Sequence, residues 1–118
     1  MARKRVLVVD DEQAVRDLTQ ALLQRLGYSV AAAGSGVEAL RLVDLERFDL
    51  VVTDLFMPEM SGGELAREIR KRDEQLPIVL ITGARDAEVP PGFMAVVYKP
   101  FTLSDLQLVT KRVFPEEA

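Results

Sequence analysis

The sequence predicts an α/β domain in which a parallel β-sheet carries helices on both faces. Three observations predict it. Short apolar runs rich in β-branched residues recur five times. Most stretches between them place apolar residues at helical spacing. Strand-like and helix-like segments alternate, which is the order of parallel strands joined by crossover helices, and such a sheet must be covered on both sides. A chain of 118 residues with 48% hydrophobic content has enough apolar surface for a core of its own.

The elements follow in order. Val6–Val9 reads as a buried strand. Val15, Leu18, Leu22 and Leu26 then recur at helical spacing, with Gly27 as the stop signal. "YSVAAA" (Tyr28–Ala33) is a second, less apolar strand. Ser35 and Glu38 have the spacing of a capping box, with Val37, Leu40 and Val43 behind them. "FDLVVT" (Phe48–Thr53) is a third strand and ends at Asp54. A turn rich in Pro and Gly leads into a helix with Leu65, Ala66 and Ile69 on one face. "PIVLIT" (Pro77–Thr82) and "FMAVVY" (Phe93–Tyr98) are the fourth and fifth strands. Thr102 and Asp105 form another capping box, which opens a helix with Leu103, Leu106, Val109 and Val113 inward, and Pro115 closes it. With no linker, repeat or low-complexity stretch in view, the expectation is one domain over residues 1–118 and no output domain in this chain.

Composition narrows the chemistry. Without cysteine there are no disulfides or thiolate metal sites, and without histidine the commonest general base and transition-metal ligand are missing. Carboxylates, hydroxyls, lysines and backbone remain. A net charge of −4 argues against direct binding to nucleic acid. The basic start "MARKR" is followed by no long apolar region, and no apolar run reaches membrane-spanning length, so no membrane insertion and a cytoplasmic location are expected.

In open parallel sheets ligands sit outside the carboxyl ends of the strands, so what each strand ends on matters. The first ends on Asp10 and Asp11, the third on Asp54, the fourth on Thr82 and the fifth on Lys99, followed by Pro100. Each residue alone has an ordinary reading. Asp11 can cap the first helix, Asp54 can start a turn before Pro58, Thr82 can bond its own turn, and Lys99 can be a solvated strand end. Together those readings need four unrelated reasons to gather three acids, a hydroxyl and an amine at one sheet edge. The acids also repel. At about 4 Å and an effective dielectric near 20, two like unit charges oppose each other by about 4 kcal/mol. A hard divalent cation removes that difficulty. Mg²⁺ takes oxygen ligands and needs only one or two carboxylates, leaving another as a nucleophile toward a phosphoryl group. Lys99 and Thr82 then meet the developing charge.

At this point "VLVVDDE", "VVTDLFMPEMSG", "LITG" and "YKPF", in this order, closely resemble the response-regulator receiver domain of two-component signalling, over Arg5 to Val113. The resemblance implies a flavodoxin-like five-stranded sheet of order 2-1-3-4-5, the order for which a receiver is itself a standard example. It implies that Asp54 is the phosphoacceptor, and that Mg²⁺ (or Mn²⁺) is held by Asp11 directly, by Asp10 mainly through water, by Asp54 and by the backbone carbonyl of Phe56. Thr82 and Lys99 would contact the phosphoryl oxygens, helped by the backbone N–H groups of Phe56 and Gly83, with Lys99–Pro100 in cis. It further implies a sensor histidine kinase or phosphotransfer protein as donor and a protein as downstream partner. The chain would then be no dedicated enzyme, though it would catalyse its own aspartyl phosphorylation and dephosphorylation.

Two features depart from the family pattern. Three residues before the lysine, where receivers carry Tyr or Phe, stands Val96, while Tyr98 lies on the same strand face. Thr82 and Lys99 are 17 positions apart, short for the family, and "VPPG" lies between them. Residues before proline are pushed out of helical conformation, so the fourth helix is expected to be shortened or absent and that segment mobile. Output is then expected to shift toward the first helix and the loops around the site. A haloacid-dehalogenase-type phosphatase requires a second acid two residues after its nucleophile, where this chain has Phe56. A flavodoxin requires a phosphate loop, where "DDEQ" repels phosphate. The remaining alternative is a receiver-shaped interaction module that works without phosphorylation.

Overall fold

The computed structural model describes residues 3–117; Met1, Ala2 and Ala118, the ends of the expected 1–118 domain, lie outside the described residues. The elements are β1 (Arg5–Val9), α1 (Gln13–Arg25), β2 (Ser29–Ala33), α2 (Gly36–Leu45), β3 (Leu50–Asp54), α3 (Gly62–Arg72), β4 (Ile78–Thr82), β5 (Ala95–Tyr98) and α4 (Leu103–Val113), followed by a 3-10 turn at Pro115–Glu117. All neighbouring strands pair in parallel, in the order β2-β1-β3-β4-β5. That is the expected α/β, flavodoxin-like sheet.

Side-chain alternation along the strands builds a core on each face. Leu7, Val9, Val51 and Ile78 pack with Ala39 of α2 and with Leu65, Ala66 and Ile69 of α3. Val6, Val8, Leu50, Val52, Val79, Ile81 and Val97 pack on the other face with Leu23 of α1, Leu106 of α4 and Phe114. Full burial of each Leu or Ile contributes roughly 1.5–3 kcal/mol. The central strands β3 and β4 are buried at every position, which is why they read as unbroken apolar runs.

The buried stripe of α1 differs from the predicted one. Leu18 is 51% exposed, whereas Thr19 and Leu23 are buried and Leu22 and Leu26 pack beside them. Thr19 can occupy the interface because its hydroxyl donates to the Val15 carbonyl at 2.8 Å, so no polar group is stranded. Val37 on α2 is likewise exposed, and Ala39 takes the inward position. The Ser35 hydroxyl accepts from Glu38 N, but the Glu38 carboxylate accepts from Gly34 N, one residue before the cap, so the predicted box forms only in half. A complete box forms at Ser61–Glu64, where the sequence reads most strongly as a Pro/Gly turn, and the Thr102–Asp105 box forms as expected. Strand β5 starts at Ala95, and Phe93 before it packs, half-buried, against the core cluster that includes Ala39, Leu65, Ala66 and Ile69.

Residues 83–94 contain turns and bends and no helix, as the prolines predict. The segment is nonetheless tied to α3. Arg70 Nη2 donates to the Gly92 carbonyl at 3.1 Å, while its Nη1 donates to the carbonyls of Leu76 and Asp73 at 2.6 and 3.2 Å. The Pro90 ring lies against Gly63, where an added Cβ would sit 3.0 Å from Pro90 Cγ. Backbone amides without helical partners exchange early. Hydrogen exchange across residues 85–92 is therefore expected to be much faster than across α1, and Arg70→Ala is expected to speed it further. Protection across 85–92 equal to that of α1 would contradict this.

Candidate functional site

The strand register assembles the site. Val9 pairs with Thr53, so Asp10 leaves β1 beside Asp54 at the end of β3. Asp54 pairs with Ile81 and Thr82 with Tyr98, which brings Thr82 and Lys99 to the same edge. Lys99 N donates to the Thr82 carbonyl at 2.9 Å, and the Lys99–Pro100 peptide is cis. Carboxylate oxygens of Asp10, Asp11 and Asp54 lie within 4.8 Å of one another. Lys99 Nζ reaches Asp10 Oδ2 at 3.3 Å and Asp54 Oδ2 at 3.4 Å.

The two aspartates of the first turn are held very differently. Asp10 is 4% exposed and anchored at four atoms. Its N–H donates to the Ala33 carbonyl, its carbonyl accepts from Arg16 Nη1 at 2.8 Å, its Oδ1 accepts from Glu12 N, and its Oδ2 faces Lys99. Asp11 is exposed and makes no hydrogen bond or ion pair among the described residues. Glu12 holds the N-cap position of α1 and its side chain caps nothing, so the capping role that would explain Asp11 in structural terms is not filled by Asp11. Lys99 is not a solvated strand end either; its side chain is 20% exposed and faces two carboxylates.

Asp54 and Thr82 do serve their own turns. Asp54 Oδ1 accepts from Leu55 N at 2.8 Å, and the Thr82 hydroxyl accepts from Ala84 N at 3.1 Å, which leaves the hydroxyl hydrogen available to donate. The loop after Asp54 is fixed by Gly62. Its N–H donates to the Leu55 carbonyl at 2.7 Å, and a Cβ at this position would lie 2.2 Å from the Asp54 carbonyl oxygen. Phe56 extends from that loop with its side chain 63% exposed. The backbone N–H groups of Phe56 and Gly83 and the carbonyl of Phe56 have no partner in the chain among the described residues. Neither the role of Arg16 nor the close approach at Gly62 was legible in the sequence. An arginine on a charged helix reads as a solvated residue, and a glycine in "SGG" reads as a turn.

Burial raises the Asp54 carboxyl above its usual 3.8. Lys99 draws it back down and Asp10 pushes it up again, and the upward effects prevail. Burial works to lower the Lys99 ammonium, but the carboxylates of Asp54 and Asp10 outweigh it and hold the group above its usual 10.5. The pocket is thus a buried acid beside a fixed cation, with a second buried acid and an exposed third. The donor set is all oxygen, which is the set a hard cation takes.

Comparison with known proteins establishes the family. The profile of the response regulator receiver domain matches residues 6–111. The chain belongs to the response-regulator receiver family. The curated response regulator MprA of Mycobacterium bovis is 39% identical over 124 aligned positions, which cover 97% of this chain and 54% of the relative. The receiver thus spans about half the length of the curated relatives it matches. Among solved structures, the response regulator TrrA of Thermotoga maritima, in complex with Mg²⁺–BeF, is 37% identical with a TM-score of 0.86, covering 93% of this chain and 98% of that one. The receiver domain of the sensor histidine kinase PA1611 of Pseudomonas aeruginosa, with magnesium coordinated in its active-site cleft, is 27% identical with a TM-score of 0.90, covering 97% and 99%. Among the described residues of this receiver no helix is long and apolar enough to cross a membrane.

Two outcomes follow from the site. A carboxyl with a raised folded pKa binds its proton more tightly in the folded state, so the receiver loses stability as pH rises from the unfolded value of 3.8 through the folded one. Asp54→Asn removes that loss. In metal-free buffer it is expected to raise the melting temperature near neutral pH, with the gain vanishing well below pH 3.8. An unchanged or lower melting temperature at neutral pH would contradict it. Gly62→Ala is expected to destabilise the fold by about 1–3 kcal/mol, the usual range for overpacking, as read by urea denaturation.

Proposed function

We propose that this receiver takes a phosphoryl group onto Asp54 from the phosphohistidine of a partner sensor histidine kinase or phosphotransfer protein, with a divalent cation present. The supporting observation is the convergence of Asp10, Asp11 and Asp54 with Lys99 at one sheet edge. The residues fit Mg²⁺ (or Mn²⁺). Three carboxylate oxygens lie close together, Lys99 is the one side chain among the described residues that pairs with them as a cation, and the Phe56 carbonyl has no partner among those residues. Asp10, Asp11, Asp54 and Phe56 would hold the ion. When bound, it neutralises negative charge on the acids and on the incoming phosphoryl oxygens.

In the transfer, one Asp54 carboxylate oxygen forms a bond to phosphorus. The bond from phosphorus to the donor imidazole nitrogen breaks, and its electron pair leaves with the imidazole. Lys99 supplies a fixed positive charge to the phosphoryl oxygens. Thr82 turns its free hydroxyl hydrogen toward them, and the N–H groups of Phe56 and Gly83 donate as well. Hydrolysis of the acyl phosphate at the same site returns Asp54. These 118 residues contain no histidine, so the donor lies outside them. We place the protein in the cytoplasm, with a protein partner downstream. Tyr98 lines a groove of about 320 Å³ with Asp105, Leu108 and Val109 of α4, and Arg85 lies over its ring at 4.9 Å. Tyr98 therefore meets the segment that follows Thr82 and shares a groove with the last helix. This supports a remodelled output in which Val96 is not the moving group.

Incubation with Mg²⁺ and acetyl phosphate, followed by intact-mass measurement, is expected to show one added phosphoryl group that hydroxylamine removes. Asp54→Asn is expected to abolish the adduct, and Asp11→Asn to raise the Mg²⁺ requirement. Adduct formation at the original rate in Asp54→Asn would overturn the assignment, and a chain that never gains the adduct favours an interaction module working without phosphorylation.

A further inference from the structure

Asp11 makes no side-chain hydrogen bond or ion pair within the described residues, so no polar partner holds its carboxylate and the backbone that carries it sets its place. The peptide linking Asp10 to Asp11 has one external hold on its carbonyl, the 2.8 Å hydrogen bond from Arg16 Nη1. Arg16 sits in the first turn of α1, where helical side chains lean back toward the N-terminus. Its own N–H donates to the Glu12 carbonyl at 2.9 Å. The guanidinium thus closes a short ring through the turn that carries both acids. On its far side lies Gly34, where an added Cβ would stand 3.3 Å from Nη1 and 3.8 Å from Cζ. The turn after β2 therefore leaves the space the guanidinium occupies, and Glu38 fixes that turn by accepting from Gly34 N at 3.2 Å.

We infer that Arg16 is a positioning residue for the divalent-cation site, clamping the Asp10–Asp11 peptide so that the otherwise unsupported Asp11 carboxylate stays with those of Asp10 and Asp54. This role rests on the reading of the site given above. It has an electrostatic cost, because a guanidinium beside the acids repels an incoming cation. Charge and position therefore predict opposite signs. If Arg16 acts only through its charge, removing it tightens Mg²⁺ binding. If it clamps the turn, removing it weakens binding.

Isothermal titration of the full chain with Mg²⁺ at constant pH and ionic strength reads the sign directly. Residues that orient metal ligands typically change affinity by about 10- to 100-fold when removed. With the charge effect opposing, Arg16→Met is expected to raise the Kd for Mg²⁺ by about tenfold. Arg16→Lys, which keeps one donor and the charge, is expected to fall between. Gly34→Val keeps every charge and pushes the guanidinium from its place, so it is expected to weaken binding as well. It also carries the test if Arg16→Met fails to fold. An Arg16→Met chain that binds Mg²⁺ as well as the parent or better overturns the role of Arg16 alone, as does an unaltered Kd in Gly34→Val. A parent chain that binds no Mg²⁺ overturns the reading of the site itself, and this role with it.

Discussion

Three carboxylates with oxygens within 4.8 Å of one another, faced by the Lys99 ammonium, form the constraint on which the rest of the structure depends. Like charges at such spacing oppose each other by several kcal/mol in a protein-like dielectric. A fold that gathers them must hold them there with contacts formed elsewhere. The central sheet does this. Strands β1, β3 and β4 are almost wholly buried, and their register is fixed because a one-residue slip would turn every apolar side chain to the wrong face. Lys99 relieves part of the strain from the edge strand β5 and stays charged because of the acids it relieves. Burial, with a smaller push from Asp10, still keeps the Asp54 carboxyl above its usual value.

Much of this was legible in the sequence, for a physical reason. In a parallel sheet the residues just past each strand are brought to one edge by strand order and pairing alone, so Asp10, Asp54, Thr82 and Lys99 could be placed together from local pattern. The missing helix between β4 and β5 was legible for a similar reason, since consecutive prolines act on the backbone whatever surrounds them. What could not be read depends on contacts between distant elements. Thr19 is polar and yet buried, because a hydroxyl can bond to its own helix. Leu18 is apolar and yet exposed, because the face of α1 is chosen by what packs beneath Leu22, Leu23 and Leu26. The close approach of Gly62 to the Asp54 carbonyl belongs to the folded loop and has no sequence signature beyond the glycine itself.

The segment that replaces the fourth helix shows how a crossover is retained without its usual element. Helices cover parallel sheets because they satisfy their own backbone while presenting an apolar face. Here Phe93 supplies an apolar contact to the core under α2 and α3, and Arg70 satisfies the Gly92 carbonyl from α3. Pro90 seats against Gly63, so the segment and the start of α3 meet side by side. One end of this assembly begins at Thr82 and the other begins just beyond Asp54. Two of the site's residues are therefore joined, through short stretches of chain, to one surface.

Within the site itself, order is distributed unevenly, and the distribution matches the chemistry proposed for it. Asp10 is buried and bonded at four atoms, so it can act as a fixed point. Asp11 is exposed and unbonded, so an exchangeable ion can reach it without breaking an internal contact. An acid bound as tightly as Asp10 would lose existing bonds on binding a cation. An acid as free as Asp11 would hold a cation poorly if its backbone were also free. Anchoring the peptide between them reconciles the two demands. It lets the carboxylate remain open to solvent while its point of attachment stays fixed, so the order needed for binding resides in the backbone of the turn.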